Sequence, residues 1–218
     1  MIGVVIPVRN EEALLARCLD AVRRAASHPA LCREEVMVVV VLDACTDRSA
    51  EIAVASGATV VTSSAGLVGA ARAIGAERVI DAGARWMACT DADTVVAPDW
   101  LAAQVALEVD VVCGTIAVDD WSHHKLAVRR RYSESYIDAD GHRHIHGANL
   151  GVATDAYLRA GGFKPLAFDE DVALVQAMKA MGARIAWSAA PRVRTNARLD
   201  SRARNGFGDY LRLLAVGY

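Results

Sequence analysis

An unbroken run of apolar and mostly β-branched residues at positions 36–42 constrains the fold more than any other feature of the chain. The run shows no polar–apolar alternation, which is typical of a strand covered on both faces, as in a parallel sheet. Three shorter apolar runs alternate with three segments of helical periodicity. The runs are residues 4–8, 59–62 and 85–90, and the helical segments are residues 10–26, 47–56 and 67–81. This alternation predicts an α/β fold with a mostly parallel, Rossmann-like sheet and helices on both faces.

The second half of the chain is less regular. Strands are predicted at residues 109–118, 145–153 and 184–187, and helices at residues 123–135, 154–160, 170–181 and 202–216. A length of 218 residues fits one domain, and neither a repeat nor a linker-like stretch divides it. We therefore expect a single domain over residues 1–218, with two halves that meet at about residue 95.

Charge and hydropathy exclude several classes of protein. A net charge of −2 gives no field that would draw the chain to nucleic acid. The composition is 54% apolar, but the longest apolar run is far shorter than the roughly 18–20 residues that span a bilayer. Residues 1–7 lack the basic segment and cleavage site of a signal peptide. Five scattered cysteines without a Cys-x-x-Cys pair favour a reducing compartment. We therefore predict a cytoplasmic protein with at most a peripheral contact at the inner face of the membrane.

Two carboxylates, Asp91 and Asp93, directly follow the apolar run at residues 85–90. Carboxylates pack poorly at the end of a buried strand, but they supply the oxygen ligands that Mg²⁺ or Mn²⁺ prefers, and the phosphates of a nucleotide can complete the shell. The alternative is that one carboxylate caps the helix near Pro98 while the other is solvated. Asn10, Asp43 and Asp91 all follow predicted strands, so they should share the sheet edge at which such folds bind ligands.

A series of motifs, in order along nearly the whole chain, resembles family 2 glycosyltransferases, the nucleotide-sugar enzymes with a GT-A fold. The motifs are VIPVRNEE at 5–12, VVVLDACTD at 39–47, GLVGAAR at 66–72, DAD at 91–93, HGANLG at 146–151, GGF at 161–163 and DEDVAL at 169–174. The resemblance implies a nucleotide-sugar-binding half over about residues 1–95 and an acceptor half over about residues 96–218. It also implies transfer with inversion at the anomeric carbon, a divalent cation (Mn²⁺ or Mg²⁺) and a nucleotide-sugar donor, with UDP-sugars the commoner choice.

The chain departs from the family pattern at several points. The segment Asp43–Cys45 lacks the usual Gly-Ser pair, which leaves open a GDP-sugar as donor, and Ala73 stands where the family has Asn. No Gln-x-x-Arg-Trp segment follows Asp171, so a processive polymerase is not expected. No histidine follows Asp171 either, so a late third metal ligand is not expected.

The resemblance assigns the nucleotide-sugar half of the site residue by residue. Asp93 is the expected metal ligand, while Asp91 faces the ribose or reaches the metal through water. Asp43 accepts a hydrogen bond from the base. The remaining expected nucleotide-sugar contacts are Pro7, Arg9, Asn10, Glu11 and Arg72, of which Glu11 lies near the ribose and Arg72 contacts the diphosphate. For Pro7 the alternative is a plain strand terminator, and for Arg72 it is a solvated helix arginine.

In the acceptor half, Asp171 is the expected general base, which takes the proton of the acceptor hydroxyl. The alternative is that residues 169–171 only charge and cap a helix N-terminus. Expected contacts to the donor or acceptor sugar are His146, Gly147, Asn149, Glu170 and Trp121. The alternating histidines His142, His144 and His146 could share a face of a strand and bind a metal, but a solvated loop is the favoured interpretation. Arg198, Arg202 and Arg204 are predicted to form a lid over the diphosphate or an acidic acceptor.

Two other functions stay open on the sequence alone: a sugar nucleotidyltransferase and a non-catalytic nucleotide-sugar-binding module. The first is disfavoured because the loop after the first strand is not rich in glycine. The second is disfavoured because Asp91, Asp93 and Asp171 are all present. The acceptor is not identified, although the arginines favour an acidic one and a lipid-linked one stays open. The amphipathic tail at 207–216 is expected to pack on the core, and it leaves open an oligomer or a membrane surface.

Overall fold

The structure is a computed structural model that describes residues 1–197 and 207–216. Its strands are β1 (Ile2–Val8), β2 (Val36–Asp43), β3 (Thr59–Ser63), β4 (Trp86–Cys89), β5 (Val95–Val96), β6 (Val111–Gly114), β7 (Ala117–Val118), β8 (Leu150–Ala153), β9 (Ile185–Ser188) and β10 (Val193–Thr195). Its α-helices are α1 (Leu15–Ala26), α2 (Ser49–Ala55), α3 (Val68–Asp81), α4 (Trp100–Val105), α5 (Leu126–Ser135), α6 (Thr154–Arg159), α7 (Glu170–Ala180) and α8 (Phe207–Val216). These elements build a seven-stranded sheet in the order β3-β2-β1-β4-β8-β6-β9 and a three-stranded sheet in the order β5-β10-β7.

The large sheet is mostly parallel and carries helices on both faces, as the apolar runs predict. Strand β1 pairs in parallel with β2 and β4, and β2 pairs in parallel with β3. Successive residues of β2 enter different cores: Val40 packs with α1, α2 and α4, whereas Val39 and Val41 pack with α3, α6 and α7. All three valines are fully buried. Because both faces are covered, the strand needs no polar alternation.

Strand β8 runs antiparallel between β4 and β6, which are themselves aligned with the parallel strands. Its reversed direction brings the start of β8 to the edge where β1, β2 and β4 end. The residues just before β8, at 142–149, therefore join the loops that follow β1, β2 and β4. This reversal brings the second half of the chain to the same edge of the sheet as the first half.

The predicted strand at 109–118 is wrong as one element, because β6 and β7 belong to different sheets. The strand ends where side chains, and not a neighbouring strand, form hydrogen bonds with its backbone amide and carbonyl groups. Asn149 donates to the Thr115 carbonyl at 2.7 Å, and the Ile116 amide donates to the Tyr136 hydroxyl oxygen at 2.8 Å. The short strands β5 and β10 were not assigned as separate elements from the sequence, because runs of two or three residues carry little periodicity, whereas α4 lies where the sequence indicated a helix near Pro98.

Two further boundaries differ for local reasons. The helix predicted from residue 10 begins at Leu15, because Asn10 has a left-handed φ of 54° and the Glu11 carbonyl first closes a turn with Leu14. The strand predicted at 145–153 is confined to β8, since residues 147–149 form a single 3₁₀ turn.

The described part of the tail packs on the body of the protein, as its amphipathic pattern predicts. Leu211 of α8 is fully buried in a cluster with Tyr132 of α5 and Ala197. Residues 202–206 of the predicted helix lie outside the described residues. Within the described ranges, no helix combines the length and apolar composition that crossing a bilayer requires.

Candidate active site

A cleft of about 580 Å³ opens at the edge of the large sheet where the parallel strands end. Its lining follows the strand order: Asp43 at the end of β2, Pro7 on β1, Asp91 after β4, Gly147 before β8 and Ile116 after β6. Adjacent strands lie about 4.8 Å apart, so Asp43 and Asp91 are separated by roughly 10 Å along the edge. The cleft therefore has one end in the first half of the chain and the other in the second half.

The first end of the cleft is built from the loops after β1 and β2. Asp43 is buried, and its Oδ1 accepts a hydrogen bond from the Gly66 amide at 3.0 Å. Gly66 has a left-handed φ of 66°, a conformation that glycine adopts without strain. Pro7, Arg9 and Glu11 line this end, as predicted for the nucleotide-sugar contacts.

Asn10 is not among the residues that line the cleft, although its neighbours Arg9 and Glu11 are, and its contact with a nucleotide-sugar stays a prediction. Its Oδ1 accepts the Thr46 amide at 2.7 Å, and its own amide donates to Cys45 Sγ at 3.4 Å. Asn10 therefore ties the loop after β1 to the loop after β2. Its signal in the sequence was its position after a strand, which does not distinguish a ligand contact from a loop tie.

Asp91 and Asp93 both line the centre of the cleft. The Asp93 carboxylate accepts hydrogen bonds from Thr94 Oγ1 at 3.3 Å and, across to β10, from Thr195 Oγ1 at 3.5 Å. Neither carboxylate caps a helix: α4 begins after Asp99, which makes no side-chain capping bond. The capping alternative is therefore wrong.

The donor set at Asp91 and Asp93 fits Mg²⁺ or Mn²⁺, because these ions are held by one or two carboxylates together with phosphate and water oxygens. Within residues 1–197 and 207–216, no group of three His, Cys, Asp or Glu side chains is arranged to hold a metal by itself. The rest of the shell of a cation at these carboxylates would come from water or from the oxygens of a bound ligand.

Arg72 lies beneath the cleft and joins its two sides. Its Nη2 donates to Asp91 Oδ1 at 2.5 Å, and its Nη1 donates to Glu170 Oε1. Only 3% of Arg72 is exposed, so the alternative of a solvated helix arginine is wrong. Both Nη atoms are occupied by carboxylates, while its direct contact with a diphosphate stays a prediction.

Arg72 and the carboxylates around it shift one another's pKa values. Burial raises the pKa of Asp91 and of Glu170, and Arg72 opposes the increase at both. Burial alone would lower the pKa of Arg72, but the neighbouring carboxylates of Asp91, Glu170 and Asp171 raise it. The guanidinium therefore stays charged and holds two otherwise repelling carboxylates together.

Asp171 is held both by the chain before β8 and by the first turn of α7. Its Oδ2 accepts the Gly147 amide at 2.5 Å, and its Oδ1 accepts the amide of Val172 at 2.8 Å. Asp169 precedes α7 with a left-handed φ of 57° and makes no side-chain capping bond. A Cβ at Gly147 would overlap the Arg72 guanidinium, so glycine is required there. Gly147 thus lets Arg72 and Asp171 approach the same stretch of backbone.

Histidines and tyrosines line the second end of the cleft. The rings of Tyr136 and His144 stack with centroids 4.1 Å apart and planes 6° apart. His146 Nε2 lies 3.0 Å from the Tyr136 hydroxyl oxygen. Burial, with smaller contributions from His144 and His142, lowers the pKa of His146 to about 3. His142 is buried rather than solvated, which corrects the expectation of a solvated loop.

Two predicted sugar contacts lie outside the lining of the cleft, and their contact with a sugar stays a prediction. Asn149 is fully buried: its Nδ2 donates to the carbonyls of Thr115 and Pro191, and its Oδ1 accepts Trp100 Nε1 at 2.9 Å. Trp121 lines a separate cavity of about 450 Å³ between β7 and α5. Both placements have one cause, since neither burial nor the path of an irregular loop can be read from local sequence. The predicted lid residues Arg198, Arg202 and Arg204 lie outside the described residues.

The structure also adds lining residues that sequence reasoning missed. They are Tyr136, His144, Phe168, Phe207 and Tyr210. The alternation of His142, His144 and His146 was the one signal that pointed to this end of the cleft. The tyrosines and phenylalanines carried no comparable signal, because aromatic residues are assigned to the core by default.

A family model, Glycosyl transferase family 2, matches residues 3–158. No curated protein matches the chain. The fold is similar to S. aureus TarS 1–349 in complex with UDP-GlcNAc, with a TM-score of 0.72 and 17% identity, over 99% of this chain and 65% of that chain. It is similar to the mannosyltransferase PcManGT from Pyrobaculum calidifontis in complex with GDP-Man and Mn²⁺, with a TM-score of 0.67 and 20% identity, over 98% of this chain and 60% of that chain.

A third similar structure is glucosyl-3-phosphoglycerate synthase from Mycobacterium tuberculosis in complex with Mn²⁺, UDP-Glc and phosphoglyceric acid. Its TM-score is 0.63 at 17% identity, over 99% of this chain and 80% of that chain. The chain therefore spans less than two thirds of the length of TarS 1–349 and of PcManGT.

Proposed function

This chain belongs to glycosyl transferase family 2, and from that premise we propose that it is a non-processive, inverting glycosyltransferase that uses Mn²⁺ or Mg²⁺. Its donor is a nucleoside diphosphate sugar, with a UDP-sugar the first choice, and its acceptor is a hydroxyl. One observation carries the proposal: the Asp91–Asp93 pair and Asp171 line the same cleft and are linked through Arg72 and Gly147.

The order of groups along the cleft supports this donor class. Asp43, Pro7 and Glu11 lie at the end suited to a base and ribose, and Asp91 and Asp93 follow about two strand spacings away, where a diphosphate would lie. A divalent cation bound at the carboxylates neutralises charge on the leaving diphosphate. TarS and the glucosyl-3-phosphoglycerate synthase hold UDP-sugars, while PcManGT holds GDP-Man, which is why both bases belong in a test.

In the transfer step, the acceptor oxygen forms a bond to the anomeric carbon as the bond from that carbon to the diphosphate oxygen breaks. The electron pair of the broken bond leaves with the nucleoside diphosphate. The acceptor proton moves to the Asp171 carboxylate, whose orientation is fixed by the Gly147 amide. Attack from the face opposite the leaving group inverts the anomeric configuration.

The protein is further proposed to work in a reducing cytoplasm. All five cysteines are free, and Cys18, Cys89 and Cys113 are buried where they behave as small apolar side chains.

A thermal-shift screen tests the donor site directly. UDP-, GDP-, CDP- and dTDP-sugars are added with and without Mn²⁺ to the wild type, to Asp93→Ala and to the control Asp99→Ala, which is exposed before α4 and outside the cleft. A ligand that binds only the folded state at 100 times its Kd stabilises it by about 2.7 kcal/mol. We expect one nucleotide class to raise the melting temperature only with Mn²⁺, in the wild type and in Asp99→Ala. Equal stabilisation of Asp93→Ala would contradict the proposed metal–diphosphate site.

A further inference from the structure

The large sheet has two outer strands, and one of them, β9, is closed to further pairing. Its outer side is covered by the turn that contains Asp140 and Gly141. The Trp187 carbonyl accepts the Gly141 amide at 2.8 Å, and Asp140 accepts Ser188 Oγ at 2.9 Å. A backbone hydrogen bond and a carboxylate therefore occupy the edge to which another strand would add.

The other outer strand is β3, and we call its outer side, over residues 59–63, the β3 edge. On its inner side, β3 pairs in parallel with β2 in a continuous register without a bulge. Among the described residues, only β2 and Ala44, which follows it, form backbone hydrogen bonds with β3. Ala197 and Phe207, which flank the gap in the described ranges, pack around Tyr132 of α5. Alternate amides and carbonyls of an outer strand point away from its neighbour, so the β3 edge presents a row of backbone donors and acceptors.

The β3 edge lacks the features by which proteins usually keep an outer strand from pairing. Such strands carry charged side chains, proline or a bulge. Residues 52–71 include no Asp, Glu, Lys, Arg, His or Pro, although 23% of the whole chain is charged. The strand itself begins with four β-branched residues, Thr59 to Thr62, which favour strand pairing. The β3 edge is therefore suited to receive another strand.

The surface next to the β3 edge is apolar as well. Helix α2 precedes β3 in the chain, and Val60 of the strand packs against the cluster that contains Ala53 of this helix. On the same helix, Val54 is 66% exposed. Removal of such a side chain from water favours association in proportion to the apolar area that is buried.

We propose that the β3 edge pairs antiparallel with the β3 edge of a second copy of this chain, so that two seven-stranded sheets become one. The inference goes beyond the proposed function and does not depend on it. A two-fold axis normal to the sheet at Val61 sets Val61 opposite its own copy and Val60 opposite the partner's Thr62. Near such an axis a charged group meets a like charge, and like charges directly opposite each other on paired strands are destabilising. A strand without charges avoids this repulsion, which is why the partner is a second copy.

The same symmetry limits the assembly to two copies. An axis normal to the sheet keeps α2 of both copies on the same face of the joined sheet, one on each side of the seam. Growth beyond two copies would need pairing of β3 with β9, which builds an open filament. The bond between the Trp187 carbonyl and the Gly141 amide opposes that pairing. The assembly therefore closes as a dimer.

Sedimentation velocity of the chain over a range of concentrations tests the proposal. The mass of one chain is 23.2 kDa, and we expect a species of twice that mass. Thr62 is exposed, and Thr62→Lys sets a positive charge on both sides of the seam, so the Kd of the dimer should rise at least about tenfold. Thr62→Val keeps a β-branched, uncharged side chain and should leave the Kd within about threefold of the wild-type value. Gln176→Lys adds the same charge at an exposed position of α7 and should also leave it within about threefold.

Exchange of backbone amide hydrogens gives a second measurement, which separates loss of the dimer from loss of the fold. The β3 amides that point away from β2 should exchange more slowly above the Kd of the wild type than below it. Thr62→Lys should remove this difference at the same concentrations, while the amides of β1 stay protected in every variant.

Three results would overturn the proposal. The first is a wild type that stays monomeric at every concentration, which would leave the β3 edge to an extended segment of another protein. The second is a dimer that Thr62→Lys weakens no more than Gln176→Lys does. The third is an assembly larger than a dimer.

Discussion

The two halves of the cleft are built in different ways. In the nucleotide-sugar half, β1, β2 and β4 are neighbours in one parallel sheet, and each ends in a loop that carries a polar residue of the site. In the acceptor half, the lining comes from the chain before β8, from Tyr136 after α5, from the start of α7 and from the tail helix α8. In the nucleotide-sugar half, the repeated β and α units position the site residues through the geometry of the backbone. In the acceptor half, the positions of the site residues depend on contacts between segments that are distant in the sequence. We therefore expect the two halves to respond differently to substitution.

Arg72 joins the halves, and its removal should give the largest effect. Arg72→Met leaves the buried Glu170 and the partly exposed Asp91 without their cation, and the expected cost is about 3–4 kcal/mol, in the lower part of the range for breaking a buried ion pair because solvent screens Asp91. The free energy of unfolding in urea at pH 7 measures the loss. The control Arg78→Met removes an exposed arginine from the same helix and should change it by less than about 0.5 kcal/mol. Equal losses in the two variants would show that the halves are held together without Arg72.

Asp171→Asn should separate chemistry from donor binding. Asparagine keeps the size of the side chain but cannot accept the acceptor proton, so kcat should fall by about 10³-fold while the affinity for the donor changes little. Steady-state kinetics with the donor selected by the thermal-shift screen measures both. Asp169→Asn is the matched control, since Asp169 has a left-handed φ that asparagine tolerates and makes no capping bond. A kcat within tenfold of the wild-type value in Asp171→Asn would show that Asp171 is not the general base.

Asn149→Ala should lower stability without a specific effect on catalysis. It leaves Trp100 Nε1 and the carbonyls of Thr115 and Pro191 without this partner, at an expected total cost of about 3 kcal/mol. Chemical unfolding gives this loss, and kcat per folded molecule should stay within about twofold. Gln176→Ala, an exposed site on α7, serves as the control. If Asn149→Ala instead raised the KM for the acceptor and left the stability unchanged, Asn149 would be inferred to contact the sugar.

The smallest expected effect is a loss of folding stability at acid pH, which arises from His146. The ordinary pKa of His146 is 6.5 and its folded value is about 3, so between these values the unfolded chain binds a proton that the folded protein does not. The contribution of His146 to the free energy of unfolding is therefore fully present above pH 6.5. It decreases as the pH falls, by about 1–2 kcal/mol at pH 5. Unfolding free energies at pH 7 and pH 5 should therefore differ less in His146→Gln than in the wild type. His123→Gln, at an exposed position, should keep the wild-type difference.

Much of the first half could be predicted, because its signals are local. The apolar runs predicted the bounds of β1 to β4 to within two residues at each end. The residues that follow the predicted runs include Asp43, Asp91 and Asp93, which line the cleft. Local pattern did not separate Asn10, which ties two loops, from its neighbours Arg9 and Glu11, which line the cleft. Both kinds of residue follow a strand, and the difference is only the direction of a side chain.

Prediction of the second half was poorer for a physical reason. The strand at 109–118 has a continuous apolar pattern, yet the hydrogen bonds of Asn149 and Tyr136 with Thr115 and Ile116 divert its backbone into two sheets. Those partners lie 20 to 34 residues away along the chain. No window of local sequence contains both ends of such a contact.

The sequence by itself determined the parallel sheet, the polar loops at its edge and the family of the chain, because hydrophobic periodicity and short motifs are local properties. Only the tertiary structure decided that Arg72 holds Asp91 to Glu170, that Gly147 presents its amide to Asp171, and that Tyr136 stacks between Tyr132 and His144. Each of these contacts joins segments that the reversal of β8 and the packing of α5, α7 and α8 bring together. Their energies depend on burial and on relative orientation, which exist only once the chain has folded.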